Sequence, residues 1–210
     1  MAPDQITVVP NWAVADARPD EAGARAFRER HGLADAYVVM YAGNLGRVHP
    51  FAGVLAAAGR LRDEAPDVRF VLVGDGPQRD AVAREVAARR LTNVLLVSPQ
   101  PAEMLGATLG AADLHLVTLA PGLDGLVVPS KVYGVQAVGR PFFYLGGGGT
   151  EAARLAVESG GEVLPPEDGD ALAAAIRAWQ ADPARRAAVG PQGRYVADVV
   201  EAFERVLKGA

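Results

Sequence analysis

The chain has 210 residues, half of them apolar, which is enough for one well-buried core and favours a single domain over two very small ones. Its formal net charge is −4 and its 21 basic residues are scattered, so it carries no basic footprint for nucleic acid or anionic lipid, and a small-molecule partner is expected. Cys is absent, which excludes disulfides and thiolate metal sites and fits a reducing, cytoplasmic setting; no run reaches the ~18 apolar residues of a membrane span.

The head of the chain holds a β-like run at 6–9 (ITVV) stopped by Pro10-Asn11-Trp12, and then a polar helix at 20–31 with few core positions. This stretch reads as an interdomain connector. From residue 36 onward, short β-rich runs alternate with Ala-rich segments of helical period. The runs fall at 37–41 (YVVMY), 68–73 (VRFVLV), 93–97 (NVLLV), 113–118 (DLHLVT), 141–145 (PFFYL) and 162–164 (EVL), and the helices at 50–62, 78–89, 102–109, 130–138, 150–158 and 168–181. Near-continuous apolar strands are what a sheet covered on both faces requires. The pattern predicts an α/β fold: a doubly wound parallel sheet of about six strands, helices on both faces and a C-terminal helical tail. The expected division is a linker with connecting helix over 1–35 and one domain over 36–210. In the tail, two further helices break at Gly190-Pro191, and Tyr195, Val199, Phe203 and Val206 or Leu207 form an apolar stripe that covers either this domain or a partner domain.

In a doubly wound sheet the ligand lies at the carboxyl ends of the strands, so the loops there carry the chemistry. The first, Gly43-Asn44-Leu45-Gly46-Arg47, reads either as a phosphate cradle with Arg47 adding charge or as an ordinary tight turn before a helix opened by Pro50. The second, Gly74-Asp75-Gly76-Pro77, places an acid where dinucleotide-binding folds contact a ribose, but G-N-L-G-R-V is not G-x-G-x-x-G. Asp75 therefore reads as a ligand contact or as the cap of the helix near Gln78. The third loop, 119–131 (LAPGLDGLVVPSK), ends with the N-cap-like Ser130 and with Lys131 at a helix N-terminus. A cation is unfavourable there unless an anion joins it, so Lys131 points to a phosphate or else is solvated. His49 and His115 have no partners at metal spacing, and His115, mid-strand, reads as structural. No metal site or cofactor is expected, and no hydrolase elbow or Walker loop is present.

Taken in order, PNW at 10–12, YAGNLG at 41–46, VLVGDGP at 71–77, NVLLVSPQPAEM at 93–104, AADLHLV at 111–117, VPSKVYGVQAVGRP at 128–141 and GGGGTEAARL at 146–155 resemble the C-terminal, Rossmann-like domain of family 4 glycosyltransferases of the GT-B fold, in the branch that makes bacterial surface polysaccharides. The resemblance implies a nucleotide-diphosphate sugar donor bound here, retaining transfer, and an acceptor held by an N-terminal domain that this chain lacks. It implies a cytoplasmic enzyme that can be peripheral to the membrane, using a lipid-linked acceptor as such relatives often do.

Carried over by position, the resemblance puts Gly43, Asn44 and Gly46 by the diphosphate with Arg47 nearby, and Ser130 and Lys131 on phosphate. Gly74 and Asp75 join the nucleotide-sugar site, Pro99, Gln100 and Met104 edge the base, and Tyr133 lies near the ribose. Many relatives carry two glutamates eight positions apart, where this chain has Leu126 and Gly134; Asp124 and Gly125 stand in near the sugar. The implied catalysis is neutralisation of the departing diphosphate by Arg47, Lys131 and oriented N–H groups, where loss of one such donor costs roughly 2.7–4 kcal/mol. A sugar-nucleotide epimerase, which would want several acids in the cleft, and a non-catalytic nucleotide-binding module are the other readings.

Overall fold

The computed structural model describes residues 11–13, 17–191, 199–201 and 203–204. Six parallel strands, β1 (Tyr37–Ala42), β2 (Val68–Val73), β3 (Val94–Val97), β4 (Leu114–Thr118), β5 (Phe142–Leu145) and β6 (Val163–Leu164), form one sheet in the order β3-β2-β1-β4-β5-β6. The order reverses between β1 and β4, which is the switch point of a doubly wound sheet. Ala42 pairs with Val73 and Thr118 with Leu145, so these strands end in register with their neighbours at the edge where ligands bind.

The helices are α1 (Glu21–Arg30), α2 (Ala52–Glu64), α3 (Arg79–Ala88), α4 (Leu105–Gly110), α5 (Lys131–Ala137), α6 (Glu151–Glu158), α7 (Gly169–Gln180) and α8 (Pro183–Ala187). Two starts differ from expectation. Pro50 lies in the turn ahead of α2 and Phe51 takes the N-cap position, while the segment at 102–109 splits into a 3-10 turn at Ala102–Met104 followed by α4.

Strand alternation sorts the core into layers. Tyr37, Val39 and Tyr41 of β1 face the cluster under α2 and α7, which includes Phe70, Leu72, Phe143 and Trp179. Val38 and Met40 face the other way and pack with Val71, Val73, Ala24 and Phe27. Both faces of β1 are dry, which is why YVVMY shows no polar alternation. A third cluster gathers Val132, Tyr133, Val135, Phe142, Tyr144 and Ala156 around α5 and α6.

Helix α1, polar in sequence, is seated on this unit. Asp20 caps it by accepting the Gly23 N–H at 2.9 Å, and Phe27 is fully buried where α1 packs on α4. Arg28 forms a partly buried ion pair with Asp113, whose carboxylate also accepts the Val38 N–H at 2.8 Å, so the helix is tied to the first residues of the sheet. His115 is structural: its Nε2 lies 2.9 Å from the Leu109 carbonyl, and burial lowers its pKa to about 4.

In the tail, Val199 is buried and Phe203 is about half exposed; the run at 6–9 and Tyr195, Val206 and Leu207 lie outside the described residues. Among the described residues no helix is long and apolar enough to cross a membrane.

Phe27→Ala removes the one large side chain that α1 contributes to the core, and should lower stability by about 3–5 kcal/mol in urea unfolding. A loss within about 0.5 kcal/mol, the range of surface substitutions, would mean that α1 is only laid against the surface.

Candidate functional site

The loops after β1 and β2 are pressed together at glycines. Gly74 has φ +141° and a Cβ there would stand 2.0 Å from the Gly43 carbonyl oxygen; Gly76 has φ +147° and its Cβ would meet Asn44 Oδ1 at 2.4 Å. The Gly43 N–H donates to Val73 O at 2.9 Å and the Leu45 N–H to Asp75 O at 2.8 Å. These two donors are thus committed to β2 and the loop after it, so 43–47 is a braced turn in which the N–H groups of Gly43 and Leu45 are already used.

Two caps expected from the sequence do not form. Asp75 does not cap α3, whose N-cap is Gln78; its carboxylate instead accepts the Gly76 N–H at 2.8 Å and lies 3.9 Å from Arg79 Nε. Ser130 occupies the N-cap position of α5 with helical dihedrals, and its side chain makes no cap bond.

Lys131 is the electrostatic anomaly of the structure, and it is not solvated. Its Nζ is fully buried without a hydrogen-bond partner, lying 3.5 Å from the centroid of the Tyr41 ring and 3.1 Å from where a Gly43 Cβ would be. An ammonium group has three donors, and a tyrosine face offsets only part of their desolvation. Burial accordingly lowers the Lys131 pKa to about 7. Tyr41 is held in place by donating to Asn44 O at 2.6 Å and by edge contact with Phe51, and burial holds its phenol above its ordinary pKa, hence neutral.

Lys131 opens onto a cleft of about 680 Å³ at the carboxyl edge of the sheet. Of the residues expected at the site, Gly43, Asn44, Gly74, Asp75, Pro99, Gln100, Ser130 and Lys131 line it. The others stand elsewhere. Arg47 is exposed and off the lining; Gly46 is buried beneath its loop, its carbonyl accepting from Gln78 Nε2; Met104 is half-buried at the end of the 3-10 turn and off the lining. Tyr133 is buried in the α5–α6 cluster. Asp124 borders a separate recess of about 360 Å³ with Gly146, Gly147 and Pro165, and Gly125, with φ +77°, turns the exposed loop beyond it. Side chains recruited by the fold, which the motifs did not mark, include His49, Thr108 and Leu109, and Trp12 of the PNW motif joins them. Thr108 Oγ1 is buried without a partner, like Lys131 Nζ. Of the two positions where relatives carry glutamate, Gly134 lines the cleft and Leu126 is 78% exposed outside it.

Residues 36–182 match the family model for glycosyl transferases group 1. The chain is 32% identical over 187 residues to WcaI of Escherichia coli, named as a colanic acid biosynthesis glycosyl transferase, covering 84% of this chain and 44% of that protein. It is 31% identical over 184 residues to the GDP-mannose-dependent alpha-(1-6)-phosphatidylinositol monomannoside mannosyltransferase of Mycolicibacterium smegmatis, covering 84% and 47%. The chain therefore spans less than half the length of these relatives. Among solved structures, Anabaena HepE in complex with UDP and glucose superposes with a TM-score of 0.75 at 19% identity, over 97% of this chain and 57% of that one, and shares the fold.

Two stability measurements check this geometry. Gly74→Ala combines a left-handed φ with a backbone clash and should cost about 2–4 kcal/mol in urea unfolding; a neutral effect would mean that the two loops are not in contact. Lys131 gives a pH test. The unfolded chain keeps its proton up to pH 10.5 while the folded chain releases it from about pH 7, so in that window the unfolded state binds more protons and stability rises with pH. Lys131→Met abolishes this: it should be more stable than wild type below pH 7, with the gap closing toward pH 10.5. A gap constant across that range would show that Nζ is hydrated in the folded state.

Proposed function

Because the chain belongs to the glycosyl transferases of group 1, we propose that its described unit is the donor-binding half of a retaining sugar transferase. The single observation that carries this reading is the buried, unpartnered Lys131 Nζ at the floor of a switch-point cleft, a group that lacks only an anion. A nucleotide-diphosphate sugar supplies one. HepE, solved with UDP and glucose, and the GDP-mannose-dependent mannosyltransferase support a donor of this class.

On this reading the base lies by Pro99 and Gln100 after β3, and the diphosphate crosses Gly43 and Asn44 to reach Lys131 and Ser130 at the start of α5. The sugar lies beyond, toward the end of β4. As the glycosidic bond breaks, negative charge grows on the departing phosphate, and Lys131, held in a site of low dielectric, is placed to stabilise it. This assigns leaving-group stabilisation to Lys131 and withdraws it from Arg47. Asp75 is the one carboxylate among the described lining residues, which is too few acids for the epimerase reading.

We further propose that residues 1–35 connect this unit to an acceptor-binding domain that completes the active site, in the biosynthesis of a surface polysaccharide or glycolipid. The names of WcaI and of the phosphatidylinositol monomannoside mannosyltransferase support that setting, and a lipid-linked acceptor would bring the cytoplasmic enzyme to the membrane surface.

Calorimetric titration with UDP, GDP, ADP and their sugar conjugates tests the reading. One nucleotide series should bind, and Lys131→Ala should weaken it about 10–100-fold through loss of a charged hydrogen bond. Arg47→Ala should stay within about twofold, as a surface substitution. A folded sample that binds none of these ligands would contradict the proposal, and binding without transfer on mixing with an active acceptor domain would favour a binding module.

A further inference from the structure

We propose that His49 recognises the transferred sugar, its Nε2 accepting a hydrogen bond from a sugar hydroxyl. The inference rests on the donor reading and assigns the sugar contact within that site.

The tautomer follows from geometry. His49 Nδ1 lies 2.6 Å from the carbonyl oxygen of Thr118. A carbonyl oxygen only accepts, so Nδ1 carries the hydrogen and, in the neutral ring, Nε2 is left as an acceptor. Burial lowers the His49 pKa, the bond to the Thr118 carbonyl opposes it and the nearby Lys131 charge adds to it, and the net lowering favours the neutral ring. Nε2 has no protein partner among the described residues, and the side chain lines the cleft. The groups that face the ring are Tyr41, edge-on at 6.0 Å between centroids, Lys131 and the Thr118 carbonyl.

An unfilled acceptor needs an O–H or N–H from the ligand. The diphosphate of a nucleotide sugar offers only acceptors, so the partner of Nε2 is a donor on the base, the ribose or the sugar. Position along the sheet selects which one. The base-edging residues follow β3, Lys131 sits beside the end of β1, and His49 is tethered to the last residue of β4. From β3 to β4 is three strand spacings, about 14 Å at about 4.8 Å each, so His49 lies at the far end from the base with the phosphate site between. Leu126, where relatives carry the first glutamate, is apolar and outside the cleft, and Asp124, expected near the sugar in its place, borders the separate recess, which leaves this polar contact to another residue.

The ring is also braced before any ligand arrives. Gln78 Nε2 donates to the His49 carbonyl at 2.9 Å, and the Ala120 N–H donates to Val48 O at 2.8 Å, which ties this turn to both neighbouring loops. A preformed acceptor of this kind selects for a hydroxyl in one position and orientation.

Paired titrations of the nucleoside diphosphate and its sugar conjugate, with wild type, His49→Ala and His49→Gln, test the assignment. His49→Ala should weaken the conjugate about three- to tenfold more than it weakens the diphosphate, whose retained binding doubles as the check that the variant folds, and His49→Gln, which keeps an acceptor, should show a smaller difference between the two ligands. Equal losses for the two ligands, or none, would overturn it. Nitrogen NMR of the His49 ring should show the Nδ1–H tautomer in the free chain and an Nε2 shift with the conjugate but not with the diphosphate; an Nε2–H or doubly protonated ring would overturn the proposal without reference to affinity. If wild type binds no nucleotide, the donor reading falls and this inference with it, whereas binding with equal losses removes the inference alone.

Discussion

An ammonium group buried on the face of a tyrosine, with no hydrogen-bond partner, is the contact around which this structure is arranged. Lys131 Nζ lies over Tyr41 at 3.5 Å, in the space that a side chain at position 43 would fill. A cation–π contact recovers about 0.5–2 kcal/mol, less than the several kcal/mol that desolvating an ammonium costs. Such a site holds its charge fully only when an anion arrives, and its low dielectric makes that anion's interaction strong.

The surroundings can be read as the means of keeping that site in one shape. Tyr41 stands next to the end of a strand buried on both faces and is pinned by its hydroxyl to Asn44 O. The 43–47 turn is fixed in turn by bonds to the β2 loop, which approaches closely enough to exclude any side chain at Gly74. Gln78 reaches back to the carbonyls of Gly46 and His49, and His49 reaches across the switch point to Thr118. Strand order, loop glycines and cleft chemistry are links of one chain of causes. The parallel sheet brings the ends of β1, β2 and β4 side by side, the glycines let their loops touch, and the contact leaves the lysine, the histidine and the carboxyl edge around a common space.

Much of this was legible in the sequence, and the failures have physical causes. Strands and helices announced themselves because a doubly covered parallel sheet leaves uniformly apolar strands, and the predicted runs differ from the observed elements by a residue or two at their ends. Lys131 was legible as an electrostatic inconsistency at a helix start, although its burial was not. Arg47 shows how little adjacency in a loop says about position: it is exposed and off the cleft lining, while its neighbours Gly43 and Asn44 are on it. Residue type alone leaves Asp75 open between a cap and a ligand contact and suggests Ser130 as a cap; Gln78 takes the N-cap of α3, Asp75 lines the cleft, and Ser130 holds the N-cap position of α5 without a side-chain bond. His49 and Thr108 belong to no spacing motif, and the PNW motif marks Trp12 as linker rather than as site; the three meet at the cleft through the placement of a turn, a helix and the N-terminal segment. Phe27 marked α1 as part of the core, but one aromatic in a polar helix is too weak a periodic signal to show it.

The most direct test of the account is a crystal structure of the chain soaked with the nucleoside diphosphate that titration selects. The account predicts diphosphate oxygens within hydrogen-bonding distance of Lys131 Nζ at the start of α5, and the base against Pro99 and Gln100. A diphosphate held elsewhere, at Arg47 or in the recess beside Asp124, with Lys131 still unpartnered over Tyr41, would contradict it.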